Sequence, residues 1–365
     1  MEIGLVGLPR SGKTTVFNAV TRGHALVAVY AGAVKPNLGV AKAPDANLER
    51  LQRVFGAQRT VAAEETYVDV PGPTDGAEGL RGVSGEYLSH LQRADALVLV
   101  ARGFDDPSVR HEEGGVDPVR DVETVLFELA ASDSEVMVRR LKRLADGFKA
   151  ARATERDALS KEQALLDRLK SGLEAGTPLR DQATSPEEAR LLEGFGFLTA
   201  KPVVVALNVD EGRLSEVQSL EGQLASALEG RGVLAAALCG KLEMELAQME
   251  PEEEREFRES LGVRESGLER MVSLTYRALD LVTFYTGNRN EVRAWAVAKG
   301  TPALKAAGKV HSDLERGFIR AEVIGVEDLL DCGTLAEARR RGLLRREGKG
   351  YPVRHGDVIN VLFSV

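Results

Sequence analysis

Cysteine is scarce in this sequence, and long apolar runs are missing from it. The 365 residues include two cysteines, Cys239 and Cys332, which excludes a disulfide framework or a four-cysteine zinc site. The longest apolar runs, such as 96–101 and 202–207, are far too short to cross a bilayer. The first residues also lack the basic and apolar regions of a secretory signal. We therefore expect a cytoplasmic protein that has no membrane partner.

The overall charge is acidic, with 56 acidic side chains against 48 lysines and arginines and a formal net charge of −8. This balance does not favour nucleic-acid binding over the whole surface, and no DNA partner is predicted. A local basic cluster near the C-terminus is the exception. It is either a solvated helix end or a contact for RNA phosphates. Its members are Arg339, Arg340, Arg341, Arg345, Arg346, Lys349 and Arg354.

Short apolar runs alternate with helical stretches through much of the chain. The predicted strands cover residues 1–6, 67–70, 95–101, 202–207 and 233–238. Strands that alternate with helices predict a parallel sheet in an α/β domain. A chain of 365 residues is also longer than one hydrophobic core usually serves, so more than one domain is expected.

About 100 residues separate the third and fourth predicted strands, and this gap has the apolar spacing of long paired helices. Met137, Leu141, Leu144 and Phe148 form one seam, and Leu159, Leu166, Leu169 and Leu173 form the other. We predict an antiparallel helical hairpin over 133–197, inserted into an α/β domain of 1–132 and 198–280. Ordinary surface helices on the sheet are the alternative. Short alternating runs after residue 280 predict a small α+β domain over 281–365.

The strongest motif follows the first predicted strand. Residues 7–14 read Gly-Leu-Pro-Arg-Ser-Gly-Lys-Thr, which fits the phosphate-loop pattern. In such a loop the backbone N–H groups and the positive end of the next helix hold phosphate oxygens. Lys13 would place its charge on the β- and γ-phosphates, and the Thr14 hydroxyl would bind Mg²⁺. The candidate phosphate-binding residues are Gly7, Pro9, Arg10, Ser11, Gly12, Lys13, Thr14, Thr15 and, after a later strand, Gly72.

Two further motifs close predicted strands. Residues 69–72 read Asp-Val-Pro-Gly, which indicates that Asp69 serves Mg²⁺ together with Thr14. Residues 208–211 read Asn-Val-Asp-Glu, where guanine-specific NTPases carry Asn-Lys-x-Asp. Glu211 places its carboxylate one methylene too far for a paired contact with guanine, so guanine selectivity is not expected. The candidate base-binding residues are Asn208, Val209 and Glu211, with Cys239 and Gly240 in a second loop after the fifth strand.

These residues resemble the YchF family of Obg-like ATPases, and the resemblance covers essentially the whole chain. Its most specific parts are Glu-Val-Arg-Ala-Trp at 291–295 and His-Ser-Asp-Leu-Glu-Arg-Gly-Phe-Ile-Arg-Ala-Glu-Val at 311–323. The resemblance implies a Ras-like P-loop domain with an inserted helical hairpin and a C-terminal TGS domain of β-grasp, ubiquitin-like fold. It also implies slow hydrolysis of ATP in preference to GTP, with Mg²⁺, and association with ribosomal RNA and proteins. A monomer is expected.

The chain departs from the family pattern at several positions. Arg10 stands where the family has Asn, so dependence on K⁺ is not expected, and the arginine either contacts phosphate or points to solvent. Ala33 cannot ligate Mg²⁺ as the family's threonine can, and Pro73 cannot orient water. By alignment, His111 is the candidate that orients water, and a solvated loop histidine is the alternative. Two rival functions stay open: a nucleotide switch with almost no turnover, and a ribosome-binding or RNA-binding adaptor.

Overall fold

The computed structural model describes residues 1–23, 25, 36–69, 85–107, 109, 114–150, 152–263 and 265–364. Contacts between residues divide the chain into two compact units. The first unit is Met1–Gly39 with Thr66–Leu274, and the second is Val40–Glu65 with Thr275–Val365. This division differs from the boundaries expected from the sequence, because residues 40–65 join the C-terminal part of the chain.

Both units contain a β-sheet together with α-helices. The strands are β1 (Glu2–Val6), β2 (Asn37–Lys42), β3 (Arg59–Val61), β4 (Glu64–Asp69), β5 (Ala96–Arg102), β6 (Val203–Asn208), β7 (Val233–Leu238), β8 (Leu281–Gly287), β9 (Glu291–Ala298), β10 (Phe318–Gly325), β11 (Arg345–Glu347) and β12 (Asp357–Phe363).

The helices differ widely in length. They are α1 (Lys13–Thr21), α2 (Ala46–Phe55), α3 (Gly85–Arg93), α4 (Pro118–Ala150), α5 (Ala153–Glu174), α6 (Pro186–Leu192), α7 (Val217–Ala227), α8 (Gly240–Leu246), α9 (Pro251–Leu261), α10 (Gly267–Ala278), α11 (Ala303–Val310), α12 (Ser312–Arg316), α13 (Val326–Cys332) and α14 (Leu335–Arg340). In the described part of the chain, none of them has the length and apolar character that a bilayer span requires.

The first unit contains the parallel sheet that the sequence predicts. Its strands lie in the order β2-β4-β1-β5-β6-β7, and the chain crosses between the units within β2 and again within β4. β1 pairs in parallel with β4 and β5, and β5, β6 and β7 continue in the same direction. Every residue of β5 is buried, as expected for a strand that helices cover on both faces. Because β1, β4, β5, β6 and β7 run in parallel, their carboxyl ends meet at one edge of the sheet.

The predicted helical hairpin is present, but its first helix begins earlier than residue 133. α4 begins at Pro118, and its first half packs Val122, Val125 and Leu129 into the core of the sheet. Its second half packs against α5, with Met137 and Leu166 both fully buried in a separate apolar cluster. The apolar spacing marks the helix pair but cannot mark where one continuous helix leaves the sheet.

Two contacts show that the helices of the hairpin run in opposite directions. Arg140 Nε donates to Glu162 Oε1 at 2.7 Å, and the Arg156 guanidinium lies 5.7 Å from the centre of the Phe148 ring. The partner of a residue later in α4 is thus earlier in α5. Four residues of the two predicted seams, Met137, Leu144, Leu166 and Leu169, are buried in one cluster between these helices.

The second unit has a β-grasp sheet. β8 and β9 form an antiparallel hairpin, and β12 lies beside β8 in the parallel direction. The order is β11-β10-β12-β8-β9, and β3 adds a further strand in parallel beside β9. Ala303, Ala306 and Ala307 of α11 pack on this sheet in the core of the unit. The pairing of β3 with β9 explains why residues 40–65 belong to this unit. Local spacing in the sequence cannot predict this pairing, because the two strands are far apart along the chain.

A buried carboxylate fastens α4 to the segment that precedes β6. Asp133 is 2% exposed, and its two oxygens accept hydrogen bonds from the N–H groups of Leu198 and Thr199 at 2.8 and 2.7 Å. The Thr199 hydroxyl donates to it as well, at 2.7 Å. Burial raises the pKa of Asp133 to about 6, although these hydrogen bonds oppose the shift. Asp133 thus holds the base of the hairpin against the sheet.

We expect Asp133→Ala to lower the free energy of unfolding by about 2–4 kcal/mol, because two buried N–H groups lose their acceptor. The folded protein binds a proton at Asp133 at higher pH than the unfolded chain does. The contribution of this bound proton to the free energy of unfolding is complete below about pH 4. It is lost as the pH rises through about 6. The deficit of the variant in urea unfolding should therefore be larger at about pH 5 than at about pH 7.5.

Glu135→Ala is the matched control, because Glu135 is an exposed acid on the same helix. A deficit for Asp133→Ala no larger than that of the control would show that Asp133 fastens nothing. Equal deficits at the two pH values would contradict the raised pKa.

Candidate nucleotide-binding site

The phosphate loop lies between the end of β1 and the start of α1, as the motif requires. Gly7 and Gly12 have φ angles of +151° and +91°. A Cβ added to Gly12 would lie 2.2 Å from Asn208 Nδ2, so both the backbone angle and the space require glycine. Arg10 also has a positive φ, 61°, and its side chain is exposed. Left-handed residues of this kind allow a loop to turn successive N–H groups toward one side.

The cation of the loop and one hydroxyl are in place for an anion. Lys13 is 7% exposed, and its Nζ donates to the carbonyl oxygens of Gly7 and Leu8, both at 2.9 Å. The charge is therefore held at the loop and not in bulk solvent. Ser11 Oγ is buried and has no hydrogen-bond partner among the described residues, a group that a phosphate oxygen would satisfy.

Thr14 and Asp69, from which the sequence predicts a metal pair, contact each other although 55 positions separate them. Thr14 Oγ1 donates to Asp69 Oδ2 at 2.9 Å, and Asn37 Nδ2 donates to the same oxygen at 3.2 Å. Asp69 is fully buried, and its other oxygen has no hydrogen-bond partner in the described ranges. A buried carboxylate with one unsatisfied oxygen beside a hydroxyl fits Mg²⁺, which prefers oxygen ligands.

Asn37 is a residue of this site that the sequence analysis did not single out for a role. It lies in the run Pro-Asn-Leu-Gly-Val at 36–40, and its amide orients the carboxylate of Asp69. The contact itself depends on β2 and β4 being neighbours in the sheet.

Asn208 joins the phosphate loop to the second base loop. Its Nδ2 donates to the Ser11 carbonyl oxygen at 3.2 Å, and its Oδ1 accepts from the Gly240 N–H at 3.0 Å. Asn208 is 5% exposed, so both ends of its amide are used inside the protein. In the structure this amide positions two loops, a role that the sequence, which predicted a base contact, did not indicate.

Two candidate base-binding residues have side chains that point away from solvent. Val209 and Cys239 are each 2% exposed and belong to the apolar core of the first unit. These side chains fill space beside the sheet and do not reach a base. Gly240 begins α8, and a Cβ there would lie 2.9 Å from Asn208 Oδ1.

Glu211 is the charged residue at the base side of the site. It begins the 3-10 helix Glu211–Glu216, and its carboxylate lies 3.3 Å from Lys241 Nζ. Glu211 raises the pKa of Lys241 through this contact. Both side chains are about half exposed or more, at 51% and 68%, so a ligand can reach them. The pairing with Lys241 could not be read from the sequence, because it connects the ends of two different strands.

Several positions of interest lie outside the described residues. They are Gly72, His111, Ala33 and Pro73.

A phosphate loop at the first strand of a parallel sheet, with a Thr–Asp pair beside it, defines a P-loop NTPase of Ras-like fold. Comparison with known proteins agrees. The family described as "50S ribosome-binding GTPase" matches residues 2–138, and the YchF-type GTPase C-terminal family, described as of unknown function, matches 281–364.

Full-length relatives decide the family. The chain is 37% identical to the ribosome-binding ATPase YchF of Bacillus subtilis, over 100% of both chains. It is 35% identical to the protein of the same name from Escherichia coli O157:H7, over 100% of this chain and 99% of that one. The structure of the Schizosaccharomyces pombe YchF GTPase superposes with a TM-score of 0.84 at 30% identity, covering 99% of this chain and 97% of that chain. The chain belongs to the YchF family.

We expect Lys13→Ala to weaken ATP binding by about 10- to 100-fold, because a charge-assisted hydrogen bond to phosphate contributes about 1.5–3 kcal/mol. Binding of a fluorescent ATP analogue measures the change, and circular dichroism checks that the variant is folded. Lys161→Ala, which removes an exposed lysine from the hairpin, is the control. Wild-type affinity in Lys13→Ala would contradict the assignment of the phosphate loop.

Proposed function

We propose that this protein hydrolyses the β–γ bond of ATP with Mg²⁺, accepts GTP less well, and associates with ribosomes in the cytoplasm. The observation that carries the reaction is the phosphate loop, where buried Lys13 and the Thr14–Asp69 pair lie together. The names of the relatives, which describe ribosome-binding ATPases, support the substrate and the partner.

The residues of the loop divide the work on the phosphates. The N–H groups of the loop and the start of α1 bind phosphate oxygens, and Lys13 balances negative charge at the transferred group. Thr14 and Asp69 are the residues that would hold Mg²⁺, whose charge would neutralise the phosphates. Asn37 keeps the Asp69 carboxylate in place, because it donates to the oxygen that also meets Thr14.

The preference for adenine rests on Glu211 and its partner. In guanine-specific sites a carboxylate accepts from both the ring N–H and the amino group of guanine. Here the Glu211 side chain is one methylene longer than an aspartate, and its carboxylate already lies 3.3 Å from Lys241 Nζ. Guanine would have to compete with that ammonium, whereas adenine does not present the same pair of donors.

We expect Glu211→Asp to shift the ratio of GTP to ATP affinity toward GTP by about fivefold, on the order of 1 kcal/mol. The shorter carboxylate matches the guanine donors and reaches Lys241 less well. The ratio comes from calorimetric titrations with both nucleotides. Val209 is left unchanged, since a lysine there would place a charge in the apolar core.

Glu216→Asp, at the other end of the same 3-10 helix, is the control. A ratio that is the same in both variants would remove Glu211 from base selection. A wild-type protein that binds GTP at least about tenfold better than ATP would overturn the adenine preference itself.

Catalysis needs a group that orients the attacking water. The alignment to the family assigns this part to His111, in the chain after β5. Histidine suits the task near neutral pH. Pro73 and Ala33 supply neither a water-orienting amide nor a metal ligand, which favours a slow enzyme and keeps a nearly inactive switch as the second candidate.

We expect His111→Ala to lower single-turnover ATP hydrolysis by about 10- to 100-fold while ATP affinity stays within about threefold. The rate is measured at saturating ATP and Mg²⁺, alone and with ribosomes. His311→Asn is the control, because it replaces an exposed histidine and keeps an acceptor at the start of α12. Equal rates for wild type and His111→Ala in both conditions would favour the switch with little turnover.

The basic cluster at 339–354 supports ribosome binding less strongly in the structure than in the sequence. Arg340 and Arg341 both pair with Glu337 at 2.6 Å, and Arg339 pairs with Glu322 at 3.2 Å. Two glutamates thus offset part of the charge of three exposed arginines, as in a solvated helix end. Association with ribosomes is therefore proposed from the relatives and not from this cluster.

A further inference from the structure

A cavity of about 600 Å³ lies in the first unit and shares no residue with the nucleotide site. Its walls are α4, the end of α5 with the segment that follows it, and the turn between α7 and β7. Leu126, Phe127, Ala130 and Ser134 contribute from α4, where spacings of three and four residues place side chains on one face. Leu173 and Pro178 face them. This volume is typical of sites for small organic molecules.

The walls of the cavity are mostly apolar. Leu126, Leu129 and Leu173 contribute aliphatic surface, and the Phe127 side chain is 69% exposed at the cavity. An aromatic ring left in water beside aliphatic walls favours a ligand with an apolar body.

Arg180 brings a positive charge to this cavity without a direct ion pair in the described part of the chain. Its Nη2 donates to the Arg231 carbonyl oxygen at 2.8 Å, and its Nη1 lies 3.5 Å from the Thr199 carbonyl oxygen. Its Nε is buried and has no hydrogen-bond partner among the described residues. Burial lowers the pKa of Arg180, and Asp181 acts on it only through space. A guanidinium held by carbonyl groups, with one N–H unsatisfied, is a site for an anion.

The other charges at the cavity are already balanced. Glu123 pairs with Arg231 at 2.5 Å, and Glu174 pairs with Lys170 at 2.6 Å. Arg180 forms no ion pair with a carboxylate in the described part of the chain. Arg180 is therefore the positive group of the cavity that has no direct carboxylate partner among the described residues. Asp181 offsets part of its charge through space, so the site matches a ligand with a single negative charge better than a phosphate dianion.

We propose that this cavity binds a small organic carboxylate, with its carboxylate on Arg180 and its apolar body against Leu126, Phe127 and Leu173. Such a ligand would also bridge α4 to the segment after α5. It would stabilise the place where the hairpin leaves the sheet.

The test compares three ligands with one alkyl body: octanoate, the neutral isostere octanamide, and octyl phosphate. Isothermal titration calorimetry of the full chain is expected to give a Kd for octanoate of about 1 mM or lower. Octanoate should bind about tenfold or more tighter than either of the other ligands. Failure of octanoate to bind at several times this concentration, or equal binding of octanamide, would overturn the proposal. Tighter binding of octyl phosphate would overturn the assignment of a carboxylate.

Variants separate the charge from the cavity. Arg180→Gln should remove the advantage of octanoate over octanamide, whereas Arg190→Gln, an exposed arginine of α6, should preserve it. Ala130→Trp fills the cavity and should prevent both ligands from binding. Retention of the octanoate advantage in Arg180→Gln, or of octanoate binding in Ala130→Trp, would refute the site.

Two measurements guard against unfolded variants. ATP affinity and circular dichroism should match wild type in each variant, because the cavity shares no residue with the nucleotide site. If Arg180→Gln does not fold, the comparison of octanoate with octanamide on the wild type and the Ala130→Trp variant still decides the proposal.

Discussion

The side-chain amide of Asn208 is the contact on which the nucleotide site depends. It accepts from the Gly240 N–H and donates to the Ser11 carbonyl, so one buried residue sets the distance between the candidate base loop and the phosphate loop. A nucleotide must reach both loops at once, so their separation has to match the span from its base to its phosphates. Gly12 leaves the space that this amide occupies.

The parallel sheet makes that contact possible. Val100 of β5 aligns with Ala206 of β6, and Asn208 of β6 aligns with Leu238 of β7. Strands in this register end at the same level, so their following loops meet at one edge. Residues from positions 14, 69, 208 and 240 thereby enter one site, although long stretches of chain separate them.

A buried ion-pair network holds α8, the helix that begins at Gly240. Arg258 of α9 donates to Glu243 of α8 at 2.6 Å and to Glu254 at 3.0 Å, and Glu254 also pairs with Arg22 after α1. Removal of one partner from such a network leaves a buried charge uncompensated. The helix that begins at Gly240 and the helix that follows the phosphate loop are thus tied through the same group of charges.

The local sequence predicted the features that depend on short spacing. The phosphate-loop motif, the alternation of strands and helices and the seams of Met137 and Leu166 all follow from local patterns, and the structure agrees with them. The two-unit division departs from the sequence boundaries, because residues 40–65 join the second unit through the pairing of β3 with β9. The start of α4 at Pro118 was also missed, because a continuous helix carries no break where it leaves the sheet.

By itself, the sequence determined the chemistry available to this protein: a phosphate loop, a Thr and an Asp for a metal, and a glutamate where guanine-specific sites have aspartate. The tertiary structure decided how those groups are used. It turned the Val209 and Cys239 side chains into the core, gave Asn208 a positioning role and set Lys241 against Glu211. The physical reason is that hydrogen bonds, ion pairs and burial depend on which strands and helices become neighbours, and residue spacing along the chain does not contain that information.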